Sequence, residues 1–310
     1  MSTITSSTIP PEVNVYFDKM LLMFAQSRLI YQQVAQKRSI PMNSGKQQIF
    51  RRYGTLSAAT TPLTEGETKS PNTMSVTDMT VEVKQYGDYF VLSDWLQMTV
   101  QDKVVSEAVK VQAYQMGLTM DSIVRDMMNS TLSAVLCSRG SNGSTPTETT
   151  DADIMSVVMG LMQGDARMVT GQIDASTGFN TAGVLPAFLG FASTDLYDDF
   201  QDLDSFKTLE KYSKASNLYN GELGAIPHVR WCFSTNGYVS GGTYSNFIAG
   251  EEAYGVTGLA GGASKVIIKQ LGSSGVGDAL DQRSSVGWKS NFACRVLNDN
   301  WVAKLTCTHS

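Results

Sequence analysis

The chain is short of the side chains that do chemistry. Two histidines, His228 and His309, are all it has in 310 residues. The first opens a predicted strand and the second is next to last, so neither a Ser/His/Asp nor a Cys/His arrangement can be built on them, and neither can a histidine-based metal site. The four cysteines, Cys137, Cys232, Cys294 and Cys307, lie far apart without a Cys-x-x-Cys spacing. That argues against a zinc site and a disulfide frame and leaves them as small buried hydrophobes. No apolar run approaches the roughly eighteen residues that cross a bilayer, so no membrane partner is expected. The opening MSTITSSTIPPEVN has no basic region followed by an apolar one. No secretory signal is therefore expected, and the default expectation is residence in a cytosol.

Acidic residues are plentiful but unevenly placed. From Lys19 to Thr64 there is not one, while Lys19, Arg28, Lys37, Arg38, Lys46, Arg51 and Arg52 contribute +7. The remainder has 17 basic residues (24 − 7) against all 29 acids, hence −12, and the whole chain carries −5. A basic arm on an acidic body fits head-to-tail association of identical chains. A nucleic-acid arm is the competing reading, because clustered Lys and Arg bind phosphate. The spread of these residues and the acidity of the whole favour association between subunits.

What is present describes a protein with a core. Hydrophobic residues make up 42% and charged residues 17%, enough for one large domain or two ordinary ones. Residues 16–36 predict a helix from Leu21, Phe24 and Arg28 alternating with Leu22, Ala25 and Leu29. Residues 88–98 predict a short strand closed by Ser93-Asp94. From about Val104 to Leu136, Val109, Ala113, Met116, Met120, Ile123 and Met127 form one apolar stripe, predicting a helix of about 50 Å. Its methionines are read as core packing rather than as a binding groove. The polar stretch 137–151 marks a boundary. Beyond it, helices are predicted over 151–168 and 194–209. Strands are predicted over 183–191, 228–235, 246–250 and 264–271, with a final pair around the turn Asn298-Asp299-Asn300. Without regular βαβ spacing the pattern is α+β.

Three further patterns are weighed against plainer readings. Asp195, Asp198, Asp199, Asp202 and Asp204 lack the glycine and closing glutamate of a calcium loop and are read as a solvated helix face. GLAGGASK (258–265) and GSSGVG (272–277) lack the ending and the following helix of phosphate loops and are read as surface loops. Glu65/Glu67 and Glu251-Glu252 are paired acids without partners to tune them apart. No catalytic residue, cofactor or metal ligand is therefore predicted, and in a chain this long that silence favours a structural protein over an enzyme.

The most informative stretch is 49–87. In its second arm Met79, Val81 and Val83 alternate with Thr80, Glu82 and Lys84, the period of a strand with one buried face. The first arm runs from Ile49 to Leu56. About twenty turn-prone residues with Pro62, Gly66 and Pro71 separate the arms. A lone two-stranded ribbon is marginal in water. It needs something to lie on, and a neighbouring subunit is the obvious candidate.

Several short blocks, in order, resemble the major capsid proteins of tailed bacteriophages with the Hong Kong 97 fold, most nearly the coliphage N-four-type branch. They are Phe50-Arg51-Arg52-Tyr53, Thr61-Pro62-Leu63-Thr64-Glu65-Gly66, Lys84-Gln85-Tyr86-Gly87 leading into Leu92-Ser93-Asp94, Arg125-Asp126, Ala253-Tyr254-Gly255-Val256 and residues 282–289, QRSSVGWK. The resemblance implies an N-arm over 1–45, an extended E-loop over 46–87, and a peripheral (P) domain with its spine helix over 88–150. An axial (A) domain would span 151–283, and residues 284–310 would return to the P domain. It implies assembly of identical chains as pentamers and hexamers into an icosahedral shell around double-stranded DNA, located in the virion and built in the host bacterial cytoplasm. Portal protein and a scaffold or decoration protein are the further partners implied. The residues expected at contacts between subunits are Arg51, Arg52, Tyr53, Thr61, Pro62, Glu65, Lys84 and Tyr86. An encapsulin-like nanocompartment enclosing a cargo enzyme shares the fold and is the alternative.

Overall fold

The computed structural model describes residues 29–99, 104–138, 145–176, 181–213, 218–260, 264–273 and 280–310. Helices and strands are mixed without βαβ order, as the sequence predicts, on two sheets and a separate two-stranded ribbon. The 14-residue strand β14 (Arg283–Val296) organises the first sheet. Along one edge it pairs antiparallel with β4 (Lys84–Ser93). Along the other it meets β13 (Lys265–Lys269) and then β12 (Tyr254–Leu259). Strand β1 (Gln36–Ile40) adds to β12 in parallel.

One face of this sheet is covered by helix α2 (Val104–Thr131), which follows the short α1 (Asp94–Thr99). Val109, Ala113 and Met116 of α2 pack on Leu92, Val286 and Trp288. Gln112 Nε2 donates to the Val286 carbonyl at 2.6 Å, and Trp288 Nε1 donates to Gln115 Oε1 at 3.1 Å. Side chains of this size each contribute about 1.5–3 kcal/mol on burial, so the first half of α2 is bound firmly to β14.

The second sheet has eight strands. Its central members are β6 (Phe188–Ser193), β9 (Val229–Ser234) and β11 (Thr243–Ala249). Outward from these lie β15 (Val302–Thr308) and β5 (Ala134–Leu136) on one side, β8 (Glu222–Ile226) and β7 (Lys207–Thr208) on the other, and β10 (Tyr238–Ser240) beside β11. Every residue of β6 and β9 is buried, because both faces are covered. One face meets helix α3 (Asp151–Gln163), where Ile154, Val158 and Leu161 join Phe188, Trp231 and Leu305. The other meets the first sheet, where Phe191 and Phe247 pack with Tyr254, Phe292 and Val296. Gly190 lies under the Trp231 indole, where a Cβ would come within 2.6 Å of the ring. Helix α3 starts at a capping box in which Thr150 Oγ1 accepts from the Asp153 N–H and the Asp153 carboxylate accepts from the Thr150 N–H.

Four expectations change. The helix predicted over 16–36 lies largely outside the described residues. Its described end, from 29 to 35, is turns and bends, with β1 starting at Gln36. Tyr31 is drawn between Phe191 and Phe247, and the Ile30 and Tyr31 N–H groups bond to Asp121 instead of to helical carbonyls. The long helix stops at Thr131, about 42 Å in length. Residues 134–136 then pair with β15. The helix predicted over 194–209 is one 3-10 turn followed by the five-residue α4 (Tyr197–Gln201). Phe206 turns back into the core against Tyr197, and Ser205 donates a hydrogen bond to Asp151. Finally, the two C-terminal strands form but do not pair with each other, since β14 belongs to the first sheet and β15 to the second.

Asp121 sits in the middle of α2, fully buried, with Oδ1 accepting from Ile30 N at 2.9 Å and Tyr31 N at 2.8 Å. Burial pushes its carboxyl up from 3.8 to about 6, against the pull of those N–H groups and of Arg125. Between roughly pH 4 and pH 6 the folded chain therefore holds a proton that the unfolded chain gives up. This group makes the fold less stable as pH rises through that window. At pH 7 the cost is about 3 kcal/mol. Asp121→Asn keeps an acceptor oxygen and removes the charge. It is expected to raise the urea midpoint at pH 7.5 and to flatten its change between pH 5 and 7.5. An unchanged profile would show that Asp121 does not titrate in this window.

Candidate assembly surface

The ribbon consists of β2 (Gln47–Tyr53) and β3 (Val76–Glu82), paired antiparallel from Gln47↔Glu82 to Tyr53↔Val76. Its two faces differ, as the alternation of Met79, Val81 and Val83 predicts. Phe50, Met79, Val81 and Val83 pack on Ala293 and Leu297 of the body, and the Arg38 guanidinium lies 5.2 Å from the Phe50 ring centre. Arg52 Nη1 donates to Asn298 Oδ1 at 2.8 Å, and Arg295 Nη1 donates to the Thr80 carbonyl at 2.6 Å. The root of the ribbon is thus fixed to its own chain.

The other face is open. Arg51 and Asp78 face each other across the strands and form an ion pair at 2.8 Å, flanked by exposed Ile49, Tyr53 and Val76. At the base Lys46 and Glu82 pair at 2.5 Å, and the hydrogen bond from Lys46 holds the Glu82 carboxyl below its ordinary range. Such exposed pairs contribute little to stability. Past Gly54, whose N–H closes the ribbon on Ser75 O at 2.9 Å, the chain leaves the body. Every residue from 51 to 78 is exposed, including the apolar Leu56, Met74 and Leu63, the last at 77%.

Of the sequence-predicted contact residues, Arg51, Tyr53, Thr61, Pro62, Glu65 and Lys84 lie on open surface. Arg52 bonds to Asn298 of its own body. Tyr86 is half-buried against the α2 side of the first sheet, where burial pushes its phenol up. The structure adds Asp78 and Leu63 to the exposed set. Leu63 stands out in sequence as an apolar residue among turn formers.

A second surface lies on the uncovered face of the first sheet. Tyr89, Gly287 and Ile267 share one row across β4, β14 and β13, and Val91, Ser285 and Lys269 share the next. Tyr89 is 71% exposed, Lys269 and Lys289 line the trough, which has a cavity of about 680 Å³, and exposed Lys265 pairs with Lys289 beside it. Trp95 at the start of α1 and Met98 are also exposed. Exposed apolar groups gathered in this way mark interaction surfaces.

The acids at 195–204 divide. Asp199 receives Ser310 Oγ at 2.7 Å and pairs with His309 Nδ1 at 2.8 Å, holding the imidazole above its ordinary range. His228 lies in the turn between β8 and β9 with φ of 64°. The glycine-rich stretches at 258–265 and 272–277 lie partly outside the described residues, and Gly258 and Leu259 continue β12.

No protein-family model and no curated protein matches the sequence. Solved structures do match the fold. The capsid of Ralstonia phage GP4 gives a TM-score of 0.62 at 12% identity, covering 92% of this chain and 90% of that one. The capsid of cyanophage P-SCSP1u gives 0.61 at 13%, covering 91% and 89%. The acid-stable capsid of Helicobacter pylori bacteriophage KHP30 gives 0.60 at 11%, covering 99% and 93%. Coverage near nine-tenths in both directions means that the likeness extends over most of the chain rather than one part of it. The chain has the fold of phage capsid proteins, the Hong Kong 97-type α+β arrangement.

Proposed function

We propose that the chain is a major capsid protein of a tailed bacteriophage, of the coliphage N-four-type branch, assembling as pentamers and hexamers into an icosahedral shell around double-stranded DNA. The observation that carries this reading is the ribbon, which is fixed at its root and leaves more than twenty consecutive residues, apolar ones among them, exposed on their own chain. On a fold shared with phage capsids, such an arm is built to lie on the next copy. The uncovered sheet face is its receiving surface. The tip offers Glu65, Glu67, Leu56 and Leu63, while the trough offers Lys265, Lys269, Lys289, Tyr89 and Ile267.

In this reading residues 1–45 act as N-arm, 46–87 as E-loop, 88–150 as P domain with α2 as its spine, and 151–283 as A domain, with 284–310 returning. Portal protein and a scaffold or decoration protein complete the particle, which is assembled in the bacterial cytoplasm and has no enzymatic role. The named structural neighbours are phage capsids, which supports a genome over a cargo enzyme as content. The electrostatic part is tested by Arg51→Glu with Arg52→Glu, which sets acids against Asp78 and removes the bond to Asn298. Assembly followed by light scattering is expected to slow about tenfold at low salt. Unchanged yield and kinetics would remove Arg51 and Arg52 from the account.

A further inference from the structure

Cys137 and Cys307 are 170 positions apart in sequence (307 − 137) and neighbours in the fold. Strand β5 pairs in parallel with β15 through Lys304↔Ala134, Leu305↔Val135 and Thr306↔Leu136. The next step along both strands brings Cys307 beside Cys137, and the Cys137 N–H continues the ladder by donating to the Thr306 carbonyl at 2.9 Å. Neighbouring strands lie about 4.8 Å apart, inside the span of Cα separations that a disulfide bridges. Both side chains are fully buried on the α3 side of the sheet. Register thus sets the two thiols side by side on one face of the ladder.

The pair is also polarised. Asn246 Nδ2 donates to Cys307 Sγ at 3.2 Å, and Thr149 Oγ1 lies 3.8 Å from Cys137 Sγ. The Cys137 thiol beside it favours the thiolate of Cys307, and that contact, together with burial, holds the Cys137 thiol protonated. Cys232 and Cys294 lie in the other core region, where burial alone pushes the Cys294 thiol up to about 12. The four cysteines therefore divide into one prepared pair and two inert ones.

We propose that Cys137 and Cys307 form a redox-operated staple that closes under a small hydroperoxide and ties the exit of the long helix to strand β15. The Cys307 thiolate attacks one peroxide oxygen. The O–O bond breaks, hydroxide leaves and takes up a proton as water, and Cys307 is left as the sulfenic acid. The Cys137 sulfur then attacks Cys307, and its proton goes to the departing hydroxyl. The S–O bond breaks, a second water leaves, and the S–S bond forms. Two thiols are oxidised and one hydrogen peroxide is reduced to two waters. Access comes through β5, a three-residue strand at the sheet edge, whose local opening uncovers the pair without disturbing the rest.

The test treats the full chain with hydrogen peroxide, denatures it in N-ethylmaleimide, and digests it for mass spectrometry beside a dithiothreitol-reduced sample. The expected result is maleimide on Cys232 and Cys294 only, and one linked peptide pair containing Cys137 and Cys307 with a mass about two daltons below the sum of its two reduced peptides. A rise of about 5–10 °C in Tm, reversed by dithiothreitol, should accompany it. Cys307→Ser should abolish both the link and the Tm rise and leave Cys137 open to maleimide. Four labelled cysteines, a link involving Cys232 or Cys294, or a link between chains would each overturn the proposal.

Discussion

Replacement of Arg230 by alanine is expected to lower the unfolding free energy by about 3–5 kcal/mol. Arg230 on β9 and Glu222 on the adjacent β8 lie diagonally across the strands, with side chains only 3% and 0% exposed. Two bonds join them, Nε to Oε1 at 2.6 Å and Nη2 to Oε2 at 2.7 Å. Glu222 also accepts from the Tyr212 hydroxyl at 3.1 Å and from the Tyr219 N–H at 3.0 Å, and the guanidinium lies 5.2 Å from the Tyr219 ring centre. Without the arginine each carboxylate oxygen keeps one hydrogen bond, but the charge loses its counter-ion. Removing it leaves a buried negative charge between two tyrosines in the second sheet. Urea unfolding of the single variant reads the loss directly. The paired change Arg230→Met with Glu222→Leu is expected to recover most of it, because an apolar pair of similar size needs no counter-charge. A single variant within about 1 kcal/mol of the parent would show that the pair is not carrying this part of the sheet.

Deleting residues 57–73 and closing the ribbon with two glycines is expected to abolish shell formation while leaving the fold nearly unchanged. The deleted residues are all exposed, and the Gly54–Ser75 bond that closes the ribbon is kept. The urea midpoint of the subunit should therefore move by less than the equivalent of about 1 kcal/mol. Assembly behaves differently. A closed shell sums many modest interfaces, so losing one contact per subunit is multiplied over the whole particle. Sedimentation should show subunits or small oligomers where the parent forms large closed particles. Shells of normal yield from the shortened chain would mean that the tip is not a contact.

These outcomes also separate what the sequence makes legible from what it does not. The ribbon is legible because turn formers divide two extended arms and Met79, Val81 and Val83 mark the inner face. Helix α3 is legible from Ile154, Val157, Val158 and Leu161 at helical spacing behind the Thr150 cap, and strand β9 as a short run rich in β-branched and aromatic residues. The long helix is legible only in its first half. Val109, Ala113 and Met116 are buried as the stripe predicts, but beyond them Asp121, Val124 and Met128 take the fully buried positions while Met120, Ile123 and Met127 are half-buried. The helix there passes from β14 to the core shared with the second sheet, and a buried acid conceals the change of face from any count of apolar residues. The end predicted for the N-terminal helix fails for the same kind of reason. Tyr31 is claimed by Phe191 and Phe247, more than 150 residues away. The parting of β14 and β15 into different sheets is a matter of distant partners and leaves no local trace. At the assembly surface, exposure of Arg51, Tyr53 and Glu65 follows from their places in the ribbon. The inward turn of Arg52 to Asn298 and the lysine-rimmed trough depend on tertiary pairing.

Electron cryomicroscopy of particles formed by the purified full-length chain tests the central claim most directly. The account predicts closed icosahedral shells in which residues 56–74 of each copy lie on the Tyr89–Gly287–Ile267 face of the next, with the ribbon root in the place seen here. Only small discrete oligomers under assembly conditions, or shells in which each tip folds back on its own subunit, would contradict it.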